Sequence, residues 1–139
     1  VNTAEEDIVE VLRRELENGH PVDVAIDCLG GEVMGKCLPY LQLDGRWIMI
    51  AALAGKMTEI DLKNIYVRRV RIIGSTLRSR PPKEKAEILA SLVRDVFPKV
   101  ESGEVRPTIY RVLPITEAEE AHNILYRGEN IGKVVLTVG

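Results

Sequence analysis

A chain of 139 residues, 45% hydrophobic and 29% charged, has the size of one domain that buries roughly two thirds of the surface its unfolded form exposes. No apolar run approaches the roughly 18 residues that span a bilayer, and a net charge of −2 offers no general basic field for nucleic acid. These numbers argue against a membrane protein and against a nucleic-acid partner. Two cysteines, Cys28 and Cys37, and two histidines, His20 and His122, are too few and too scattered for a disulfide framework or a zinc site, which points to a reducing, cytoplasmic setting.

The chain begins V-N-T-A-E-E-D, without a methionine or a signal-type segment, and enters a helical pattern at once, as expected of a piece cut from something longer. Thr3 and Glu6 have capping-box spacing, and Ile8, Val11, Leu12 and Leu16 mark an amphipathic helix over residues 4–17. After His20-Pro21 comes V-D-V-A-I-D-C-L-G-G, Val22 to Gly31: an apolar strand expected to be buried on both sides, ending in a glycine turn. Val33, Met34, Cys37, Leu38 and Leu41 then repeat at helical spacing, with Pro39 shortening or kinking the last turn. Strand, turn and helix open a βαβ unit, whose ligands lie beyond the carboxyl ends of the strands.

Gly45 releases the chain into a second strand, Arg46 to Ala52. A loop over 53–61 holds Gly55, and Leu62 to Tyr66 make a helical turn. Val70 to Thr76, rich in β-branched residues, is the third strand. Pro82 opens a long helix with Ala86, Leu89, Leu92, Val93, Val96 and Phe97 as its buried stripe, bent by Pro98 and stopped at Gly103. Val105 to Leu113 reads as an extended, partly exposed segment rather than a buried parallel strand. Thr116 and Glu119 form a second capping box, before a helix ending near Gly128 and a terminal strand from Gly132 to Val138. The order is α, β, α, β, β, α, β, α, β, without internal repeats. The basic run Arg68, Arg69 and Arg71 reads as a solvated strand entry, and Arg78 with Arg80 as a loop.

Several positions admit both a ligand role and a bland one. Cys28-Leu29-Gly30-Gly31 allows close approach to a ribose or phosphate, yet a lone glycine pair without G-x-G-x-x-G favours an ordinary turn that Asp27 caps. Ala51-Ala52-Leu53-Ala54-Gly55 is small enough for a flat ring to lie against backbone, or for core packing. The hydroxyls of Ser75 and Thr76 reach a ligand or close a loop. Cys28 has no histidine near it in sequence and is read as packing, His122 as a boundary residue, and Lys133 as a surface lysine able to meet an anion.

Taken together, D-C-L-G-G at 27–31, L-D-G-R-W at 43–47, G-S-T-L-R-S-R at 74–80 and A-H-N-I-L-Y-R-G-E-N-I-G-K-V-V-L-T-V at 121–138 resemble the medium-chain dehydrogenase/reductase superfamily, in its zinc-independent quinone oxidoreductase branch. The resemblance covers nearly the whole chain. It implies an α/β fold: the second half of a Rossmann-type parallel sheet with flanking helices over 1–103, then a segment over 104–139 whose helix and strand return to a catalytic barrel. Val1-Asn2 would end the third Rossmann strand, and Val22, Trp47 and Val70 would mark the fourth, fifth and sixth. The glycine fingerprint and the barrel are not in this sequence, so no catalytic residue is assigned and the chain alone is expected to be inactive.

By position in that family, Leu29 and Gly30 would face the adenosine half of the cofactor, Ile50, Ala51 and Ala52 the nicotinamide and pyrophosphate, and Ser75 the same pocket, with Asn130 and Lys133 at its closing edge. The family often carries an aromatic residue or a glycine where Ile50 and Ala51 stand. The implied cofactor is NADPH, by family preference over NADH, and the implied reaction is hydride transfer to a quinone or activated alkene. The sixth strand, Val70–Thr76, would pair with its copy in a homodimer, which removes an exposed edge. The edge of Val22–Ile26 would be covered by another copy or by the strand at Val134. The competing readings are a binding and dimerisation module without chemistry, an enoyl reductase of the same superfamily, and an unrelated flavodoxin-like domain, which the return segment from Val105 disfavours.

Overall fold

The computed structural model describes every residue except Ala4 and divides into two compact units, Val1–Arg80 and Pro81–Gly139. The first contains α1 (Ile8–Glu17), β1 (Val22–Asp27), α2 (Gly31–Cys37), a 3-10 turn at Leu38–Tyr40, β2 (Leu41–Met49), α3 (Leu62–Arg68) and β3 (Arg71–Gly74). Its three strands are parallel, in the order β1-β2-β3. Alternation of strand and helix forces this arrangement, because a parallel partner is reached only by crossing over the sheet.

In-register rows define the two faces. Ala25, Trp47 and Ile72 share one row and Ile26, Ile48 and Ile73 the next, pointing the opposite way. The core lies on the Trp47 side, where Met34, Cys37, Leu38 and Leu41 are buried with Trp47 and Val70, and Ile8, Leu12 and Ile65 from the helices pack against them. The isoleucine side is open, with Ile26 71% exposed and Ile73 40%. The expectation that β1 is buried on both sides is therefore corrected: the apolar run covers two faces, of which one is packed. β1 pairs only with β2 among the described residues, and the strand at Val134 pairs elsewhere.

Several boundaries move for physical reasons. The capping box at Thr3 and Glu6 is not the cap: Asp7 Oδ1 accepts the Val9 N–H at 2.8 Å and starts α1 at Ile8; the expected start at residue 4 falls outside the described residues. Pro39 closes α2 in a 3-10 turn, and Arg68 of α3 donates to the Pro39 and Leu41 carbonyls. β2 begins earlier than expected, at Leu41. The β1–β2 register jumps between Val22/Leu41 and Val24/Arg46, so residues 42–45 bulge out around Asp44 at φ 62°. β2 ends at Met49, which leaves Ile50 to Ala52 in the following loop. The helical turn at 62–66 is a full two-turn α3, capped by Asp61.

The second unit contains α4 (Pro82–Asp95), α5 (Phe97–Glu101), β4 (Ile109–Pro114), a 3-10 turn at Ile115–Glu117, α6 (Ala118–Arg127) and β5 (Lys133–Thr137). The long helix is two helices, broken at Val96 one residue before Phe97-Pro98. Its expected buried stripe is not buried: Leu89 is 55% exposed, Val93 54% and Phe97 48%. This unit's core lies instead between α6 and the strands, on Leu113, Ala121 and Ile124 with Val134 and Leu136. Of the segment at 105–113, the part from Ile109 on forms a strand parallel to β5, exposed except at Leu113, and 105–108 lies outside it. The second capping box is also replaced, since Thr116 sits inside the 3-10 turn and α6 has no side-chain cap. Gly128 terminates α6 at φ 65°, as its sequence position implies. No helix among the described residues is long and apolar enough to cross a membrane.

Candidate functional site

The carboxyl edge of the first sheet gathers six of the eight sequence-chosen positions around two backbone segments. One is the turn leaving β1. Asp27, 7% exposed, turns its carboxylate back on the chain: Oδ1 accepts the N–H of Leu29 at 2.8 Å and of Gly30 at 3.0 Å, and Oδ2 accepts the indole N–H of Trp47 at 3.0 Å. Burial alone would raise the Asp27 pKa, but the bonds from Gly30, Leu29 and Trp47 outweigh it and hold the carboxyl below its ordinary value. The group is an ionised carboxylate held by three neutral N–H donors.

The other segment leaves β2 and lies alongside the turn. Ile50 N–H donates to the Asp27 carbonyl at 2.8 Å, Leu53 N–H to Cys28 at 3.0 Å and Ala54 N–H to Leu29 at 2.8 Å, and Gly30 and Gly55 meet in a single parallel bridge. This approach requires bare glycine. A Cβ on Gly30 would stand 2.9 Å from the Gly55 carbonyl oxygen and 3.2 Å from Ala52 Cβ, at a φ of +63° that side chains rarely adopt. Ser75 joins the same edge by donating its N–H to the Met49 carbonyl at 2.8 Å.

Leu29 and Ile50 present apolar surface outward, 42% and 53% exposed, while Ala51 and Ala52 keep the adjoining backbone low. That combination leaves room for a flat ring against the main chain at the carboxyl end of a parallel sheet, the place where ligands of such sheets lie. Asn130 and Lys133 belong to the second unit. Asn130 Nδ2 donates to the Gly132 carbonyl at 2.8 Å, and Lys133, exposed at the start of β5, donates its backbone N–H to Thr108.

Two parts of this arrangement were not read from the sequence. The Asp27–Trp47 bond joins residues 20 positions apart; the available signal was the chain's one tryptophan, since a buried indole N–H takes a partner. The Gly30–Gly55 contact had only a loop glycine to announce it. Cys28 is exposed on the turn, and Cys37 is buried with its thiol pKa raised by that burial. Among the described residues no group of three or more His, Cys, Asp or Glu could hold a metal ion. A predominantly apolar cavity of about 230 Å³ lies beneath α1, lined among others by Ile8, Leu12, Val22, Ala25 and Leu29, with Asp27, Tyr40 and Trp47 as polar residues at its wall.

Residues 1–136 match the family described as zinc-binding dehydrogenase. Among curated proteins the chain is 27% identical over 132 residues to D-arabitol-phosphate dehydrogenase of Enterococcus avium, covering 94% of this chain and 35% of that protein. It is 28% identical over 131 residues to quinone oxidoreductase 1 of Escherichia coli (strain K12), covering 90% and 38%. Among solved structures, the apo form of JamJ enoyl reductase superposes with a TM-score of 0.68 at 26% identity, covering 94% of this chain and 39% of that one. The chain thus spans between a third and two fifths of the length of these proteins.

Proposed function

This chain belongs to the zinc-binding dehydrogenase family, within the medium-chain dehydrogenases/reductases, and from that membership we propose that it forms the second half of the cofactor-binding domain of an NADPH-dependent oxidoreductase. The observation that carries the reading is the convergence of Leu29, Gly30, Ile50, Ala51, Ala52 and Ser75 at the carboxyl edge of one parallel sheet. NADPH, when bound, supplies the hydride. This chain's residues bind and orient. Leu29 and Gly30 form the wall against the adenosine half, Ile50 to Ala52 lie by the nicotinamide and pyrophosphate, and Ser75 adds a hydroxyl at the same edge.

The whole protein reduces a quinone, in a branch of the family that works without zinc; kinship with the Escherichia coli quinone oxidoreductase supports this substrate class. Reduction of an activated alkene is the second reading, favoured by the likeness to the enoyl reductase. The catalytic groups lie outside these residues, so the chain alone is inactive. β3, whose outer edge is unpaired among the described residues, is the strand through which two copies join.

Titrating NADPH into isotope-labelled chain tests the cofactor assignment. Saturable amide shifts at Leu29, Gly30, Ile50 to Ala52 and Ser75, weak because half of the binding domain is not in this chain, support it; shifts elsewhere, or none at millimolar NADPH, overturn it. Reading the gene upstream of Val1 separates enzyme from module, since G-x-G-x-x-G preceded by a barrel is required by the enzyme reading alone.

A further inference from the structure

We propose that Asp27 is a positioning residue that, through Trp47, sets the spacing between the two backbone segments of the cofactor edge, so that the turn at 28–31 and the loop at 50–55 move as one body. What those segments hold rests on the nucleotide reading above; the coupling between them does not.

The geometry has three parts. The carboxylate of Asp27 closes the turn on itself by taking the Leu29 and Gly30 N–H groups on one oxygen. Its second oxygen reaches across to the indole of Trp47, which is 5% exposed and wedged in the core beneath β2. Trp47 stands three residues before Ile50, where β2 becomes the loop. The turn is therefore anchored to the neighbouring strand as well as to its own helix, where Met34 N–H donates to the Gly30 carbonyl. A cap of Leu29 and Gly30 alone would need only one oxygen, and any Asx turn supplies it. The bond to Trp47 adds a buried, charge-assisted contact between strands.

The consequence is mechanical. Leu53 and Ala54 donate to the carbonyls of Cys28 and Leu29, and Gly30 lies against Gly55 with no room for a methyl group. Such a bare-backbone contact tolerates little error in spacing. A shift of the turn relative to β2 opens these bonds together and moves Gly30 away from Ala52 and Gly55. The Asp27 carboxylate holds the turn and, through Trp47, the strand that leads into the loop, while its backbone carbonyl accepts the Ile50 N–H; both carboxylate oxygens are occupied in doing so.

Asp27→Asn keeps the size and the acceptor for the turn, but sets an amide N–H₂ against the indole N–H. Trp47→Phe removes the donor and keeps an aromatic ring. Amide hydrogen exchange of the full chain, without ligand, is the primary measurement. Each single variant should raise exchange about tenfold in both 28–31 and 50–55, and leave α1, β3 and the second unit as they are. The double variant should rise no further than the singles, because both cut the same link. A rise confined to 28–31 would reduce Asp27 to a local cap, a uniform rise through the first unit would make it merely structural, and additive effects would separate it from Trp47; each overturns the proposal.

NADPH titration of the same variants separates the two claims. A roughly tenfold weaker midpoint in Asp27→Asn, with the same residues shifting, supports a positioning role. Unchanged binding overturns it. If the unaltered chain does not bind NADPH, the nucleotide reading fails while the exchange experiment still decides the coupling.

Discussion

Asp27 joins burial to a lowered pKa, and the sign of the resulting pH dependence follows. An unfolded aspartate titrates near 3.9, and the folded group, held by Gly30, Leu29 and Trp47 against the cost of burial, titrates below that. Its contribution to stability is complete above the unfolded value and is lost as pH falls through the folded one. Melting midpoints should stay level from neutral pH to about 5 and drop more steeply below about 4 in the unaltered chain than in Asp27→Asn, measured by circular dichroism. The glycines separate strain from crowding. Gly19 sits at φ +78° with nothing within 4 Å, whereas Gly30 sits at +63° against Gly55 and Ala52. Alanine at 19 should cost about 1 kcal/mol and alanine at 30 roughly 3, read from urea unfolding. Thiol chemistry gives a third test: a disulfide reagent should label exposed Cys28 in the folded chain and reach Cys37 only on unfolding. At this scale Asp27's grip on its own turn was legible, because an Asx turn is encoded in three consecutive residues. Its grip on Trp47 was not, because no local pattern links residues separated by a helix.

The elements were legible where periodicity and packing agree. β1 and β3 stand within the apolar and β-branched runs that mark them, β2 extends upstream of its run to Leu41, and Gly128 ends α6 through its left-handed backbone. Helix starts were misread where a Thr-x-x-Glu pattern competes with another acceptor: Asp7 lies nearer to the first buried turn than Thr3, and the 3-10 turn at Ile115–Glu117 absorbs Thr116. The two caps that do form should each matter. Asp7→Ala removes the acceptor for Val9, and Asp61→Ala the acceptor for Lys63, so each should lower stability by about 1 kcal/mol in thermal or urea unfolding. α4 shows the limit of the apolar stripe as a signal. A stripe records that a helix face is suited to burial, while the partner that buries it is a property of the assembled protein.

For the molecule as a whole, the sequence implies a partial Rossmann domain over 1–103 and a return segment over 104–139, and the contacts group the chain into two units, Val1–Arg80 and Pro81–Gly139. In the first, a three-stranded sheet carries helices on one face and leaves Ile26 and Ile73 open on the other. Both outer strands have unpaired edges among the described residues, which ordinary sheets avoid by pairing or covering. The joining of two copies through β3, proposed above, predicts that light scattering at micromolar concentration gives the mass of a dimer; a monomer would remove β3 as the joining strand. Membership of the oxidoreductase family was legible across the whole length, because several short segments in a fixed order are more specific than any one of them. The substrate was not legible, since this chain spans only about a third of the relatives' length.

Gly55 lies against both Gly30 and Gly31, and that binds the histories of all three. A Cβ on Gly30 would stand 2.9 Å from the Gly55 carbonyl oxygen, and a Cβ on Gly55 would stand 3.1 Å from the Gly31 Cα, main-chain atoms that cannot rotate away. Single replacements should therefore be filtered out one by one, and the three positions inherited together. Where a descendant has changed one of them, the length or path of the loop at 50–55 should have changed with it.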